Sequence, residues 1–204
     1  MRHTHLTKGN FTDAEFCPFK FSANNSVFTD LTGAIATDAN FTNVDFKNSN
    51  LQNIILIGAN LTDAKIKQAN LQGAQLQGAR FTLDQFTDEQ ILSFHYPDEN
   101  ARFYIKEIFD YMKENDKDKV KHKTGFERAQ KLVLSFIHGQ NELLTGFLLT
   151  GKLPEETGTF SSLFASSESN EKSLRSRLQK VKNDIDALAK ANAPPVTVHV
   201  PGKG

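Results

Sequence analysis

The chain of 204 residues has one cysteine, Cys17. That excludes an internal disulfide and any cysteine metal cluster. It also lacks an excess of charge of either sign, with 24 basic residues against 24 acidic ones. A general nucleic-acid binder carries a strongly basic face, so no nucleic acid is expected as a partner. Long apolar runs are missing too. The N-terminal stretch MRHTHLTKGNF holds no apolar signal core. Nowhere do about 18 apolar residues follow one another, so no integral membrane span is expected. The nearest run, residues 132–149, is broken by His138, Gln140, Asn141 and Glu142. A reducing, cytoplasmic location is compatible with all of this. No phosphate-binding glycine loop, zinc spacing or nucleophile elbow appears. Neither an enzyme nor a cofactor is therefore expected; an enzyme in the helical region is the alternative, with no motif to carry it.

What the chain does have is a period of five. In ANLTDAKIKQANLQGAQLQGARF, residues 59–81, large apolar residues fall at Leu61, Ile66, Leu71, Leu76 and Phe81. A helix repeats near 3.6 residues and a strand at 2, so neither accounts for it. The lattice extends back through Leu56, Leu51, Phe46, Phe41, Ala36, Leu31, Ser26, Phe21, Phe16, Phe11 and Leu6, and forward to Phe86 and Ile91. Only Ser26 and Ala36 fail to be large. Two places before the large residue a small one recurs, as at Ala34, Ala39, Ser49, Ala59 and Ala64. One place before it stands Asn at Asn10, Asn40, Asn50, Asn60 and Asn70, read as satisfying backbone at corners. Two places after it come Asp, Asn or Gly, as at Asp13, Gly33, Asp38, Asn43, Asn53, Gly58 and Gly73. These residues tolerate tight turns and positive φ. Each unit thus reads as a short extended piece followed by a corner.

This pattern resembles the pentapeptide-repeat family, whose motif is roughly Ala-(Asp/Asn)-Leu-x-x. The resemblance covers residues 6 to about 91 and is clearest over 37–81. It implies a mainly β solenoid, a right-handed quadrilateral β-helix of about four coils, with four pentapeptides to a coil. An α-helical C-terminal region follows it. With twenty residues per coil the large positions form four stacks. These run Phe11–Leu31–Leu51–Leu71–Ile91, Phe21–Phe41–Leu61–Phe81, Phe16–Ala36–Leu56–Leu76 and Leu6–Ser26–Phe46–Ile66–Phe86. Large and small side chains alternate to fill so narrow an interior. Both defects, Ser26 and Ala36, fall in one coil, and Phe19 and Asn24 occupy places that should be small. Residues 17–36 are therefore expected to be irregular, with Val27, Phe28 and Ile35 filling in.

An open solenoid end needs a cap. Thr87-Asp88-Glu89-Gln90 reads as a capping box opening a helix. The first domain is thus 1–95, coil plus cap. A helical region, 96–150, follows. There Pro97-Asp98-Glu99 suits a first helical turn, and Ala101, Tyr104, Ile105, Ile108 and Met112 recur at helical spacing. Residues 116–124 form a charged loop. Thr124 and Glu127 read as a second capping box before Phe126, Ala129, Val133, Phe136 and Ile137, with Gly139 ending the helix. Residues 141–149 make a short apolar helix. Residues 151–170 read as a flexible linker, and 171–204 as an amphipathic helix with a disordered tail from Pro194. Leu174, Leu178, Val181, Ile185 and Leu188 alternate steps of four and three, a coiled-coil pattern. That helix either rests on its own chain or forms a homodimer.

Candidate contact residues are apolar side chains at outward positions. Ile35 and Ile55 stack on one face with Ile57 beside them; such a patch marks a contact surface or is covered by the chain's own helices. Leu174, Leu178, Val181, Ile185 and Leu188 are candidates for a partner helix. Lys47, Lys65 and Lys67 cluster on another face, as solvated surface or as an anion site. Residues 159–169 read as a linker or a recognition motif anchored by Phe160, Leu163 and Phe164. His3 and His5 at the terminus, and the free thiol of Cys17, carry no expected role. The function these features point to is a non-enzymatic protein–protein interaction scaffold. The family resemblance adds a bacterial effector secreted into a host cell without a cleavable signal peptide. It also raises a DNA-mimicking regulator of a topoisomerase. Residues 1–95 carry nine acidic and seven basic side chains, a net of −2, which is too little charge for such mimicry.

Overall fold

The computed structural model describes residues 2–16, 19–22, 25–115, 123–153 and 168–191. The corners come first, because they set the shape. Two residues after most of the large ones the backbone enters the left-handed region, with φ of 61° at Asp13, 56° at Asp38 and 57° at Asn43. Gly58, at φ 70°, and Gly73, at 73°, adopt it without steric cost. Each corner is closed by the next small residue: Ala34 N–H donates to Leu31 C=O at 2.9 Å, and Ala59 N–H to Leu56 C=O at 3.0 Å.

Between corners a single residue pairs in parallel with the coil below. The pairs form four columns: Ile35–Ile55–Gln75, Asn40–Asn60–Arg80, Asp45–Lys65 and Asp30–Asn50–Asn70. Partners lie twenty residues apart, so each coil has four sides. The expectation of a mainly β chain needs correction. Each side is too short for a strand and holds one bridge residue. Among the described residues only β1 (Phe19–Ser22) and β2 (Asn25–Val27) are strands, and they pair antiparallel.

The first coil departs from the step of twenty. His5 pairs with Ile35, Asn10 with Asn40 and Glu15 with Asp45, thirty residues on. Ten extra residues therefore sit between Glu15 and Asp30, and the β1–β2 hairpin lies within them. Ten is two units of five, so the insertion leaves the sequence lattice in phase and hides itself. The irregularity expected over 17–36 is confined to the part before Asp30. All four of the expected stacks change at their upper end as a result. The columns are Leu6–Ala36–Leu56–Leu76, Phe11–Phe41–Leu61–Phe81 and Phe16–Phe46–Ile66–Phe86, beside Leu31–Leu51–Leu71–Ile91. Phe11 stacks on Phe41 at 5.1 Å between ring centroids, and Phe16 on Phe46 at 5.4 Å. Phe41 meets Phe46 edge to face at 5.3 Å. Both geometries suit the ring quadrupole. Leu31, Ala36, Phe41, Phe46, Leu51, Leu56 and Leu61 are wholly buried.

The fourth coil is completed by helical turns. Its last two sides are a 3-10 turn, Leu83–Gln85, and helix α1, Asp88–Ser93. Each opens with Thr and carries Gln three residues on. The Gln85 amide oxygen accepts from Thr82 N–H at 2.8 Å, while its nitrogen donates to Leu61 C=O at 2.7 Å and Ala64 C=O at 3.0 Å. Gln90 repeats this with Thr87 N–H at 2.9 Å, Ile66 C=O at 3.0 Å and Ala69 C=O at 2.8 Å. One coil earlier, backbone amides do this work, for Lys65 N–H donates to Val44 C=O and Asn70 N–H to Ser49 C=O. The two glutamine side chains thus stand in for their own backbone amides where the backbone has turned helical. His95 N–H then bonds Ala74 C=O at 2.9 Å and regains the step.

Helix α2 spans Ala101–Glu114, α3 Lys123–His138, α4 Glu142–Thr150 and α5 Glu168–Ala191. Helix α2 begins after Asn100, so Pro97–Glu99 are not its first turn. There the Asp98 carboxylate accepts from Asn100 N–H at 2.9 Å. Thr124 lies inside α3 and is not its cap. Gly139, at φ 73°, ends α3 as its sequence position suggests. Buried residues Ala101, Tyr104, Ile105 and Ile108 of α2 meet Ala129, Leu132, Val133 and Phe136 of α3 in one core. Within it Tyr104 stacks on Phe136 at 5.6 Å. The greater parts of the charged loop (116–122) and the linker (154–167), with the tail from Pro194, lie outside the described residues. So do Cys17 and the anchors Phe160, Leu163 and Phe164.

Candidate interaction surface

The four columns of bridge residues are also four outward stripes, and each has its own chemistry. The Asn40–Asn60 stripe is a ladder. Asn40 Oδ1 accepts from Thr42 N–H at 3.1 Å and from its hydroxyl at 2.6 Å, and Asn60 Nδ2 donates up to Thr42 Oγ1 at 2.9 Å. Opposite, Asp30, Asn50 and Asn70 repeat the scheme: Asn70 Nδ2 reaches Asn50 Oδ1 at 3.2 Å and Asn50 Nδ2 reaches Thr32 Oγ1 at 2.9 Å. These asparagines and their threonines hold the corner backbone, the role read for them in the sequence. Asp30 is ion-paired with Arg2 at 2.7 Å. Its carboxyl is held well below the usual carboxylate range, first by the Thr32 hydroxyl and then by Arg2.

The third stripe carries charge. Lys47, Lys65 and Lys67 line one shallow hollow of about 420 Å³ with Asp45, Gln68 and Gln85. Lys65 lies 3.8 Å from Asp45, a loose and solvated pair. The fourth stripe is the apolar one. Ile35 and Ile55 are bridge partners with Gln75 below and His5 above. Both are half-buried, and Ile57 at the adjoining corner is 37% exposed. The structure thus brings the three isoleucines together.

The candidates in α5 divide. Leu174 and Leu178 are buried in the chain's own core and are unavailable to a partner helix. Val181 and Ile185 rest against that core half-buried, while Leu188 is 62% exposed. Polar anchors explain why this helix stays at home. Arg175 donates to Leu148 C=O and Leu149 C=O, both at 2.7 Å, and so caps α4. Arg177 pairs with Glu107 at 3.3 Å and with Glu114, and sits 6.0 Å from the Tyr111 ring. The helical region meets the solenoid through His138 at the end of α3. Its Nδ1 accepts from Gly78 N–H at 3.1 Å, and its ring lies 5.6 Å from Phe81. Burial lowers its pKa from the ordinary value, favouring the neutral form that can accept. Sequence reasoning missed His138, Arg177 and the Gln85 cap. Only the last had a local signal, a second Thr-x-x-Gln five residues before the first.

Among the described residues no group of three His, Cys, Asp or Glu side chains could hold a metal ion. No described helix is long and apolar enough to cross a membrane. His3 and His5 are exposed at the first coil.

Compared with known proteins, residues 27–63 and 45–82 match the family model of pentapeptide repeats. No curated protein matches the sequence significantly. Among solved structures, one similar chain is HetL, a pentapeptide repeat protein involved in heterocyst differentiation regulation from the cyanobacterium Nostoc. It is 29% identical, with a TM-score of 0.34, over 37% of this chain and 31% of HetL. The chain thus spans about a third of the length of HetL. A pentapeptide repeat protein of the cyanobacterium Cyanothece is 27% identical, with a TM-score of 0.29, over 40% of this chain and 69% of its own. One from the thylakoid lumen of Arabidopsis thaliana is 19% identical, with a TM-score of 0.28, over 50% of this chain and 75% of its own. The five-residue lattice, its left-handed corners and the family model agree that residues 27–82 are a run of pentapeptide repeats.

Proposed function

We propose that this chain is a non-enzymatic protein–protein interaction scaffold whose main contact is the isoleucine stripe. The observation that carries the reading is the contrast among the outward stripes. Ladders of Asn, Thr and Gln are satisfied within the chain, while Ile35, Ile55 and Ile57 place three large aliphatic side chains at neighbouring outward positions. Apolar surface gathered in one place gains free energy when a partner covers it. The lattice inside holds the coil, so the stripes outside are free to vary. In this reading the solenoid is the right-handed quadrilateral β-helix that the resemblance implies. Residues 1–95 form the binding unit and 96–150 the helical region after it, with Val181, Ile185 and Leu188 of α5 as a smaller contact for a partner helix. The bacterial-effector reading, with secretion into a host cell, rests on the family resemblance alone. A DNA mimic fits poorly, for Lys47, Lys65 and Lys67 break any acidic surface.

The test compares Ile55→Lys with Gln72→Lys, a change at an exposed corner on another side. Both variants are expected to keep the wild-type circular dichroism spectrum and unfolding midpoint. Affinity capture from the source cells, read by quantitative mass spectrometry, should give proteins held by wild type and Gln72→Lys and lost with Ile55→Lys. Identical sets for all three proteins would refute the isoleucine contact.

A further inference from the structure

Along one edge of the solenoid each corner amide finds its acceptor in the next coil. Asp38 N–H donates to Ile57 C=O and Gly58 N–H to Gln77 C=O, both at 2.9 Å. The next amide in that column belongs to Gly78. One coil further on the chain has already left for α2, so no coil carbonyl stands there. His138, the last residue of α3, supplies the acceptor instead. Its Nδ1 takes the Gly78 N–H at 3.1 Å, and its ring lies 5.6 Å from Phe81. The exchange of a carbonyl for an imidazole has a consequence. A carbonyl accepts at any pH. An imidazole accepts only while one ring nitrogen is bare, and once protonated both nitrogens donate.

We propose that His138 is a pH-operated latch between the helical region and the solenoid: neutral, it holds the end of α3 on Gly78, and protonated, it lets that end go. The imidazolium sets an N–H against the Gly78 N–H, and its charge is half-buried. Attraction to the Phe81 ring returns part of that cost but leaves the Gly78 N–H without an acceptor. Released, the cation gains water and keeps the C-terminal carbonyls of α3, whose dipole favours it. Charged groups on the surrounding elements do not take the ring over. Asp63 and Arg80 flank Phe81 on the solenoid. Asp98, in the segment with His95 and Glu99 before α2, is engaged by Asn100 N–H at 2.9 Å and Asn141 Nδ2 at 3.4 Å. Lys131 lies two turns back on α3, and Glu142 opens α4. Among the described residues none of these side chains forms a hydrogen bond or ion pair with the ring, whose one hydrogen-bond partner is Gly78. Arg102 still ties α2 to Phe94 C=O at 2.8 Å, so the opening is a lift of the α3 end and not a parting of the two regions.

Amide hydrogen exchange of the full chain, read by NMR and corrected for the intrinsic effect of pH, tests this. The opening equilibrium at Gly78 is expected to be flat above about pH 6.5. Below that it should rise by up to about tenfold per pH unit, because opening takes up one proton. Gly58, one coil up in the same column, should keep its protection throughout. His138→Gln, whose amide oxygen accepts at any pH, should flatten the Gly78 curve. The ring nitrogen shifts of His138 at about pH 8 should show a bare Nδ1 and a proton on Nε2. Four results would overturn the proposal: a flat Gly78 curve in wild type, the same slope kept in His138→Gln, Gly58 opening in step with Gly78, or a proton on Nδ1 at about pH 8. The third would mean that acid unfolds the solenoid as a whole and works no latch. All but the second are read on wild type, so they stand whether or not the variant folds.

Discussion

Gln90→Glu changes one NH₂ group into oxygen at nearly constant shape, and the structure makes it costly. The Gln90 amide is buried, 9% exposed, and donates to Ile66 C=O at 3.0 Å and Ala69 C=O at 2.8 Å. A carboxylate there keeps the acceptor for Thr87 N–H but loses both donors. It also brings a negative oxygen against two carbonyl oxygens. Ile66 C=O keeps the Ala69 N–H at 2.9 Å, but Ala69 C=O is left without its donor. One buried orphaned carbonyl costs about 1–3 kcal/mol and a buried unpaired charge adds more, so about 3–5 kcal/mol of stability is expected to go. Urea unfolding at neutral pH, followed by circular dichroism, measures it. The control is Gln72→Glu at an exposed corner, expected within about 0.5 kcal/mol of wild type. The loss should shrink as pH falls through the carboxyl range, because the variant's carboxyl group, once protonated, regains one donor. A Gln90→Glu variant as stable as the control, or a loss indifferent to pH, would refute the claim that glutamine amides terminate the coil.

Three other predictions follow from the same geometry. Leu71→Asp buries a charge in the Leu31–Leu51–Leu71–Ile91 column and should unfold the solenoid, while Gln72→Asp should cost under about 1 kcal/mol; equal effects in urea unfolding would mean the inward assignment is wrong. His138 is held neutral, so its folded pKa lies below its unfolded value near 6.5. The unfolded state therefore takes up the proton first. His138 contributes fully above that value, and stability falls as pH drops from it towards the folded pKa. His138→Gln should flatten this part of the stability–pH curve, and an unchanged slope would remove His138 as its source. Arg177→Ala should leave the solenoid intact but speed amide hydrogen exchange in α5, by the loss of its pairs with Glu107 and Glu114, about 1 kcal/mol after solvent screening. Unchanged exchange there would show that Leu174 and Leu178 alone hold the helix.

How much of this was legible in the sequence depends on how local each feature is. The corners were legible, because Asp, Asn and Gly at one phase of a five-residue repeat report the left-handed turn directly. The inward lattice was legible for the same reason. The partner of each side was not, since pairing depends on chain length between sides, and an insertion of two units leaves the lattice unmarked. Phe11 therefore read as standing over Leu31 and in fact stands over Phe41. The cap was half legible: Thr87–Gln90 announces a helix start, but nothing local says that Gln90 also serves carbonyls 21 and 24 residues back. Isoleucines at matching phase predicted their own stripe. The fate of α5 was not legible, because Leu174 and Leu178 carry the same spacing for an outside partner as for their own core. What decides it is Arg175 and Arg177 meeting acceptors far away in the chain.

The register of the coils underlies the columns and the stripes, and NMR measures it directly. Scalar couplings across hydrogen bonds connect an amide nitrogen to the carbonyl carbon it donates to. In the deuterated protein, Phe11 N should couple to Asn40 C′ and Phe41 N to Asn60 C′, the bonds that mark coil steps of thirty and twenty residues. A coupling from Phe11 N to Asp30 C′ would instead put every coil twenty residues apart and contradict the inserted hairpin and the phenylalanine columns.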